Sequence, residues 1–289
     1  MRELLSTRTG PLVLPGAPDA LTARVIEALG FEAVYITGAG VTNARLGVPD
    51  LGLITLSELA DTVEGVREAV QIPIVVDADT GFGGPLNVRR TVQTLERRGA
   101  NAIQLEDQTF PKRCGHFTGK EVIPAAEMVA KLHAALDART SDDVLVIART
   151  DARQMLGLEA ALERAELYRE AGADVIFVEA PESAGELGEI GRRIDAPLLV
   201  NIVEGGATPQ LPASELSALG FSVVLYANAA LRGAVRGMQV VLEHLRETGS
   251  TLGALDQMVG WEERQALVGK PLFDSLSERY ATPEASDGT

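Results

Sequence analysis

Short, continuous apolar runs that alternate with amphipathic segments constrain the fold of this chain more than any other feature. Eight such runs recur along its 289 residues. Each is only about four to seven residues long, a form typical of parallel strands that are buried on both faces. The runs are PLVLPG from Pro11, AVYITG from Ala33, PIVVDAD from Pro73, AIQLED from Ala102, VLVIARTD from Val144, VIFVEAP from Val175, PLLVNIVEGG from Pro197 and SVVLYAN from Ser222.

The segments between these runs have the spacing of amphipathic helices, as in NVRRTVQTLERRGA and LEAALERAELYREAGA. Several of them end in a glycine just before the next run, where a helix C-cap commonly needs one. These are Gly30, Gly99, Gly172 and Gly220. Eight alternating strand and helix units without a change in composition predict one (β/α)8 TIM barrel domain over residues 1–280, and a doubly wound sheet is the alternative. The helical pattern continues beyond the eighth run as a C-terminal extension, and residues 281–289 are expected to be disordered.

Charge and composition narrow the class of protein. The chain has 26 Lys and Arg against 41 Asp and Glu, a net charge of -15, which argues against binding to nucleic acid or to an anionic membrane. Its single cysteine cannot form an internal disulfide bond. No apolar run approaches the roughly 20 residues of a membrane span, and the first residues lack the apolar core of a secretory signal. We therefore expect a cytoplasmic protein.

Polar residues follow the predicted strands, at the end where the reactive groups of such barrels collect. They are Thr37, Gly38, Asp77, Asp79, Glu106, Asp107, Arg149, Asp151, Glu179, Asn201, Glu204 and Asn228. Carboxylates that converge on one rim repel each other unless a cation lies among them, and an all-oxygen set favours Mg²⁺. Asp77 and Asp79 are two residues apart, so on one strand they would project to the same side. The alternative is that these acids cap helices or are solvated in loops.

Two further groups can carry chemistry. Arg149 can bind a substrate carboxylate or phosphate through two hydrogen bonds, or it can form ion pairs with Glu179 or Asp151. Cys114 lies in PKRCGHFTGK, where basic neighbours favour the thiolate, so it can act as a nucleophile or a proton donor.

The glycine-containing turns TGAG and VEGG lack the patterns of dinucleotide or P-loop sites, but their N–H groups can hold a carboxylate oxygen.

Sequence blocks along nearly the whole chain resemble the isocitrate lyase and phosphoenolpyruvate mutase superfamily, and its 2-methylisocitrate and 2,3-dimethylmalate lyase branches are the most similar. The blocks are VYITGAGV, GVPDLG, VDADTGFG, QLEDQ, KRCGHFTGKEV, VIARTDAR, GADVIFVEAP and NIVEGGATP, in this order. The resemblance implies a barrel whose last helix is exchanged between two subunits, in a homotetramer built as a dimer of dimers. It also implies Mg²⁺, with Mn²⁺ as an alternative ion, near Asp77, Asp79 and Glu106.

The reaction implied by the resemblance is a retro-aldol cleavage of a small 2-hydroxy di- or tricarboxylate to pyruvate and a second carboxylate. Cys114 would donate a proton to the leaving fragment, which Arg149 and Glu179 would position together with His116. The remaining substrate-binding residues expected on this basis are Thr37, Gly38, Ala39, Asp50, Gly115, Asn201 and Glu204.

The same blocks leave the substrate open. Phe117 follows His116, and the loop lacks the arginine that meets the third carboxylate in methylisocitrate lyases. LYANAALRGA also lacks the Pro and Ser that methylisocitrate lyases carry near Ala227 and Asn228. The sequence therefore predicts a lyase for 2-methylisocitrate or a substituted malate. The alternatives are oxaloacetate hydrolysis or decarboxylation, carboxyphosphoenolpyruvate mutase chemistry, and a barrel that binds without catalysis.

Overall fold

The computed structural model describes residues 1–112 and 121–281, and it divides the chain into two compact units. The first unit is Met1–Arg232 and the second begins at Gly233. The predicted extent of a single domain over residues 1–280 stays a prediction, and residues 282–289 lie outside the described residues.

Eight parallel strands form a closed barrel in the first unit, in sequence order, with β1 paired to β8. This confirms the predicted (β/α)8 barrel and excludes the doubly wound sheet, whose edge strands would stay unpaired. The strands are β1 (Leu12–Ala17), β2 (Val34–Ile36), β3 (Ile74–Asp77), β4 (Ala102–Glu106), β5 (Leu145–Thr150), β6 (Val175–Val178), β7 (Leu198–Asn201) and β8 (Phe221–Tyr226).

Helices precede, separate and follow these strands. Helix α1 (Arg2–Ser6) comes before β1, and its residues Leu4 and Leu5, with the preceding Met1, pack against the apolar interior of the barrel. The helices between strands are α2 (Ala20–Ala28), α3 (Gly38–Leu46), α4 (Leu56–Ala69), α5 (Pro85–Arg97), α6 (Ala125–Ala138), α7 (Ala152–Leu156), α8 (Leu158–Glu170), α9 (Ala184–Arg193) and α10 (Ala213–Ala218).

Glycines end four of these helices, as the sequence predicted. Gly30, Gly99, Gly172 and Gly220 have φ angles of 84°, 97°, 98° and 99°. Residues with a Cβ atom rarely adopt a positive φ, so glycine lets the chain turn from helix to strand without strain. Strands β2, β4, β6 and β8 consequently each follow a glycine turn.

Two apolar clusters fill the first unit. One lies between the strands and the surrounding helices. The other fills the barrel interior and includes Leu14, Tyr35, Phe177 and Leu225. Because the interior is packed with side chains, a ligand can bind only beyond the ends of the strands.

The second unit is helical. Helix α11 (Ala229–Thr248) begins in the first unit and continues into the second, where a 3-10 helix (Leu252–Gln257), α12 (Trp261–Leu267) and α13 (Lys270–Tyr280) follow. In the described part of the chain, no helix has both the length and the apolar character that crossing a membrane requires.

Candidate active site

A cavity of about 240 Å³ opens at the carboxyl ends of the barrel strands. Ten residues that the sequence singled out line it: Thr37, Ala39, Asp50, Asp77, Glu106, Arg149, Glu179, Asn201, Glu204 and Asn228. Tyr35 and Lys112 line it as well. Barrel closure therefore brings together residues as far apart in the chain as Thr37 and Asn228, which are separated by 191 positions.

Asp50, Asp77 and Glu106 line one side of this cavity, which we call the acidic side, and Gly38 and Asp79 border it. The Gly38 N–H donates a hydrogen bond of 3.3 Å to Asp77 Oδ2. A Cβ atom at position 38 would lie 3.0 Å from Asp79 Oδ1 and 3.3 Å from Asp77 Oδ2. Glycine at this position thus leaves open the space that faces both carboxylates.

Asp79 reaches this space from a turn and not from a strand. Strand β3 ends at Asp77, and Asp79 has a φ of 48°, a region that few non-glycine residues adopt. The prediction that both aspartates lie on one strand is therefore wrong, because Asp79 lies in the turn that follows β3. The turn brings the two carboxylates together, and the Asp79 N–H donates to Asp77 Oδ1 at 3.2 Å.

Burial dominates the electrostatics of the acidic side. Burial raises the pKa of Asp79 to about 7, although the Lys112 ammonium opposes this shift. Burial likewise raises the pKa of Glu106 well above its usual value, against the effect of the Arg149 guanidinium. A proton or a cation is consequently favoured among these carboxylates.

Lys112 supplies one cation directly. Its Nζ lies 2.6 Å from Asp50 Oδ1 and 2.8 Å from Asp79 Oδ1, and it donates a hydrogen bond of 2.8 Å to Asp50 Oδ2. Burial alone would lower the pKa of Lys112, but the neighbouring carboxylates, Asp79 foremost, raise it well above its usual value. In the sequence, Lys112 stands out only as a basic neighbour of Cys114, because its pairing with Asp50 joins residues 62 positions apart.

Arg149 supplies the second cation. Its Nε and Nη2 donate to Asp151 at 2.8 and 2.9 Å, and the guanidinium lies 3.4 Å from Glu106 and 3.6 Å from Glu179. It also lies over the Phe177 ring, 5.2 Å from the ring centre. Arg149 therefore lines the cavity and forms the ion pairs that the sequence analysis gave as its alternative role.

Asp107 supports Arg149 from the side of the helices. Asp107 Oδ1 accepts a hydrogen bond of 2.9 Å from the Asp151 N–H, and its Oδ2 accepts from Thr150 Oγ1 and the Tyr168 hydroxyl, each at 2.8 Å. Arg164 adds an ion pair of 3.0 Å. This network fixes Asp151, whose carboxylate accepts the hydrogen bonds from the Arg149 guanidinium. The sequence predicts Asp107 at a strand end but carries no signal of this role.

Neutral side chains complete the cavity. Thr37 caps helix α3 by accepting from the Gly40 N–H at 3.2 Å, and its hydroxyl lies 3.4 Å from Asn228 Oδ1. The first turn of α3 thus begins at the cavity, where Thr37 and Ala39 line it. Tyr35 lies within an apolar run, which hid it from sequence reasoning. Burial and then Asp77 raise its pKa well above its usual value, so its hydroxyl stays protonated.

Cys114, Gly115 and His116 lie outside the described residues. Their predicted roles therefore stay predictions. The described residue nearest to them in sequence is Lys112, whose ammonium reaches the acidic side of the cavity.

The donor set fits a hard divalent cation. Asp77, Asp79 and Glu106 offer only oxygen atoms, the ligands that Mg²⁺ prefers. Glu106 Oε1 is buried and has no hydrogen-bond partner within residues 1–112 and 121–281. In the same ranges, no three acidic, histidine or cysteine side chains already surround one point as metal ligands. Mg²⁺ usually takes one or two carboxylates and keeps several waters, so a complete protein cage is not required.

Comparison with known proteins identifies the family. A family model described as phosphoenolpyruvate phosphomutase matches residues 1–246. The chain is 45% identical to a 2,3-dimethylmalate lyase of Eubacterium barkeri, over 98% of this chain and 97% of that protein. It is also 45% identical to a 2-methylisocitrate lyase of Aeropyrum pernix, over 93% of this chain and 86% of that protein.

Solved structures agree. An oxaloacetate acetylhydrolase in complex with 3,3-difluorooxalacetate superimposes with a TM-score of 0.92 at 34% identity, over 98% of this chain and 97% of that one. A 2,3-dimethylmalate lyase gives 0.91 at 35% identity, over 100% and 96%. A phosphonopyruvate hydrolase in complex with oxalate and Mg²⁺ gives 0.84 at 30% identity, over 93% and 94%. On sequence and on fold, the chain belongs to the phosphoenolpyruvate mutase/isocitrate lyase superfamily.

Proposed function

We propose that this protein is a Mg²⁺-dependent lyase that cleaves a carbon–carbon bond of 2-methylisocitrate or a substituted malate, giving pyruvate and a second carboxylate. The observation that carries the proposal is the cavity itself, where buried acids face the Arg149 and Glu179 pair. The named lyases at 45% identity over nearly the whole chain support it. The hydrolase and mutase alternatives are not favoured by these relatives.

The two sides of the cavity suit the two ends of such a substrate. Asp77, Asp79 and Glu106 are the residues that would hold Mg²⁺, which acts as a Lewis acid on the hydroxyl and carboxylate oxygens of the substrate when bound. The Gly38 and Gly40 N–H groups already donate to Asp77 and Thr37. The Ala39 N–H at the start of α3 suits the carboxylate of the keto acid, because the positive end of a helix attracts an anion. The keto-acid half of the substrate would therefore lie between α3 and the acidic side.

The leaving half would lie toward Arg149. A guanidinium can orient a carboxylate and stabilise the negative charge that develops as the bond breaks. Asn201 lines the same cavity, and its Oδ1 atom is buried with no hydrogen-bond partner among the described residues. This oxygen can therefore accept a hydrogen bond from the substrate. We propose that a base takes the hydroxyl proton of the substrate as the carbon–carbon bond breaks, and that the Cys114 thiol then donates its proton to the carbon of the leaving fragment. The basic residues next to it in the sequence favour the thiolate, so we expect a thiol pKa closer to neutral pH.

The test is one NMR time course with Mg²⁺ and a mixture of 2-methylisocitrate, 2,3-dimethylmalate, 2-methylmalate, isocitrate and oxaloacetate. We expect pyruvate to appear with one co-product, which identifies the substrate. Consumption of oxaloacetate alone would refute the lyase and favour a hydrolase or decarboxylase. No reaction with any of the five would refute the proposed substrate class.

Two controls separate the parts of the proposal. Since Cys114 is the only cysteine, Cys114→Ser removes the only thiol, and we expect loss of cleavage with unchanged fold and Mg²⁺ affinity. Turnover at the wild-type rate would remove Cys114 from the mechanism. Asp79→Ala should lose both Mg²⁺ binding and activity, and wild-type activity of this variant in chelator would refute the metal assignment.

We also propose that the protein assembles as a homotetramer in which the second unit docks on another copy. Large apolar side chains support this, because the second unit exposes Trp261 at 71%, Phe273 at 61% and Leu272 at 60%. Light scattering coupled to size exclusion measures the mass. A monomer at micromolar concentration would refute the assembly, and Trp261→Ser should weaken it more than Leu86→Ser, a substitution of an exposed residue in α5.

A further inference from the structure

Lys112 lies within the acidic side of the cavity and not at its rim. It is only 4% exposed, and its Nζ contacts Asp50 at 2.6 Å and Asp79 at 2.8 Å. An ammonium group is strongly hydrated, so its burial requires charged partners at such distances. The Lys112 ammonium therefore lies beside Asp79, one of the three residues that would hold Mg²⁺ in the proposed function.

A Mg²⁺ ion held by Asp79 would share that carboxylate with the Lys112 ammonium. Nζ lies 2.8 Å from Asp79 Oδ1. Because Mg²⁺ binds oxygen at about 2.1 Å, an ion held by that atom would lie within about 5 Å of the ammonium. Two positive charges so close repel each other strongly in a buried site, where little water screens them. Mg²⁺ must therefore displace Lys112 from Asp79 or bind against its charge.

We propose that the Lys112 ammonium is an internal counter-ion of the metal site, which stabilises the metal-free fold and weakens Mg²⁺ binding by competing for Asp79. The inference rests on the proposed metal site. Of the three proposed ligands, Asp79 is the carboxylate that both the ammonium and the ion would use, since its Oδ1 lies 2.8 Å from Nζ. The opposite role is that Lys112 holds Asp50 and Asp79 in place for the metal, in which case its removal would weaken Mg²⁺ binding.

The chain provides a matched control in Lys131. This lysine of helix α6 is also 4% exposed, and its Nζ donates to the carbonyl oxygen of Thr80 at 3.0 Å, in the turn that carries Asp79. Lys131→Met therefore removes a buried ammonium of the same size near the same turn. It takes no cation from the Asp50 and Asp79 carboxylates.

The experiment titrates Mg²⁺ into the metal-free, full-length protein at pH 8 by isothermal calorimetry. We expect Lys112→Met to bind Mg²⁺ at least about tenfold more tightly than the wild type, and Lys131→Met to stay within about threefold of it. In chelator, Lys112→Met should melt at a lower temperature than the wild type. Saturating Mg²⁺ should raise its melting temperature by more than it raises that of the wild type.

Each other outcome decides against the inference. Equal or weaker Mg²⁺ binding by Lys112→Met, with wild-type binding intact, overturns the inference and leaves the proposed metal site standing. No Mg²⁺ binding by any of the proteins refutes the metal site itself, and the inference with it. Lys112→Gln, which keeps hydrogen-bond donors without charge, is the second variant. If neither Lys112 variant folds even in saturating Mg²⁺, the ion does not replace the ammonium and the inference is wrong.

Discussion

Arg149→Met tests how much the buried guanidinium contributes to the fold. Methionine keeps most of the apolar volume over Phe177 but removes the charge and all hydrogen bonds. Arg149 is paired with Asp151 through two hydrogen bonds of 2.8 and 2.9 Å, and it lies 3.4 Å from Glu106 and 3.6 Å from Glu179. The variant therefore leaves buried carboxylates without their cation.

The expected magnitude follows from this geometry. Removing one partner of a buried, hydrogen-bonded ion pair costs about 3–5 kcal/mol. The first unit, Met1–Arg232, has an unfolding entropy of roughly 0.5 kcal/mol/K, at about 2.1 cal/mol/K per residue. Each kcal/mol then corresponds to about 2 °C, so the melting temperature should fall by roughly 6–10 °C.

Differential scanning calorimetry in chelator at pH 8 measures this fall, with Arg153→Met as the matched control. Arg153 also pairs with a carboxylate through two hydrogen bonds, of 2.9 and 2.5 Å to Glu186, but that glutamate is partly exposed to water. Water reaches the partners of Arg153, since Glu186 is 20% and Glu182 is 52% exposed. The control should therefore lower the melting temperature by less than Arg149→Met does.

The pH dependence gives a second criterion. Burial already raises the pKa of Glu106, and Arg149 lowers it. Without the guanidinium the folded-state pKa rises further, so protonation relieves the variant more than the wild type as the pH falls. The deficit should shrink between pH 8 and pH 5. A fall no larger than that of Arg153→Met, or a deficit independent of pH, would refute the reasoning.

Three further predictions concern single contacts. Asp107→Asn should lower the melting temperature by several degrees and weaken substrate binding, because its carboxylate accepts from Thr150, Tyr168 and the Asp151 N–H; unchanged calorimetry and KM would contradict this. Gly16→Ala should abolish soluble expression, since its Cβ would lie 1.9 Å from the Ala227 carbonyl oxygen, whereas Gly10→Ala, with nothing within 4 Å, should not. Mg²⁺ affinity should fall below about pH 7, where the pKa of Asp79 lets a proton compete with the ion; equal calorimetric affinity at pH 6 and pH 8 would contradict this.

The barrel could be predicted from the sequence because its signals are local. Each apolar run became a strand within about one residue of its expected start, as with PLVLPG from Pro11 and strand Leu12–Ala17. Gly99 and Gly172 end their helices with positive φ because the helix C-cap requires that conformation wherever the helix lies. The residues at the strand ends followed directly, since the strand direction fixes which end of the barrel they reach.

Contacts between distant side chains could not be predicted in this way. Asp79 was placed on a strand, but it lies in a turn with a φ of 48°. Whether a strand continues for two more residues depends on the loops and helices packed against it. Tyr35 was hidden in an apolar run because the pattern shows burial and does not show which hydroxyl group borders a cavity.

The sequence by itself determined the alternation of strands and helices, the family, and the set of acids at the carboxyl ends of the strands. These depend on residue periodicity, helix caps and sequence blocks, all of which act over a few neighbouring residues. Only the tertiary structure decided that Lys112 meets Asp50 and Asp79, and that Asp107 holds Asp151 behind Arg149. These contacts form only when the barrel closes, because the partners lie tens of residues apart and the direction of each side chain is set by the packing around it.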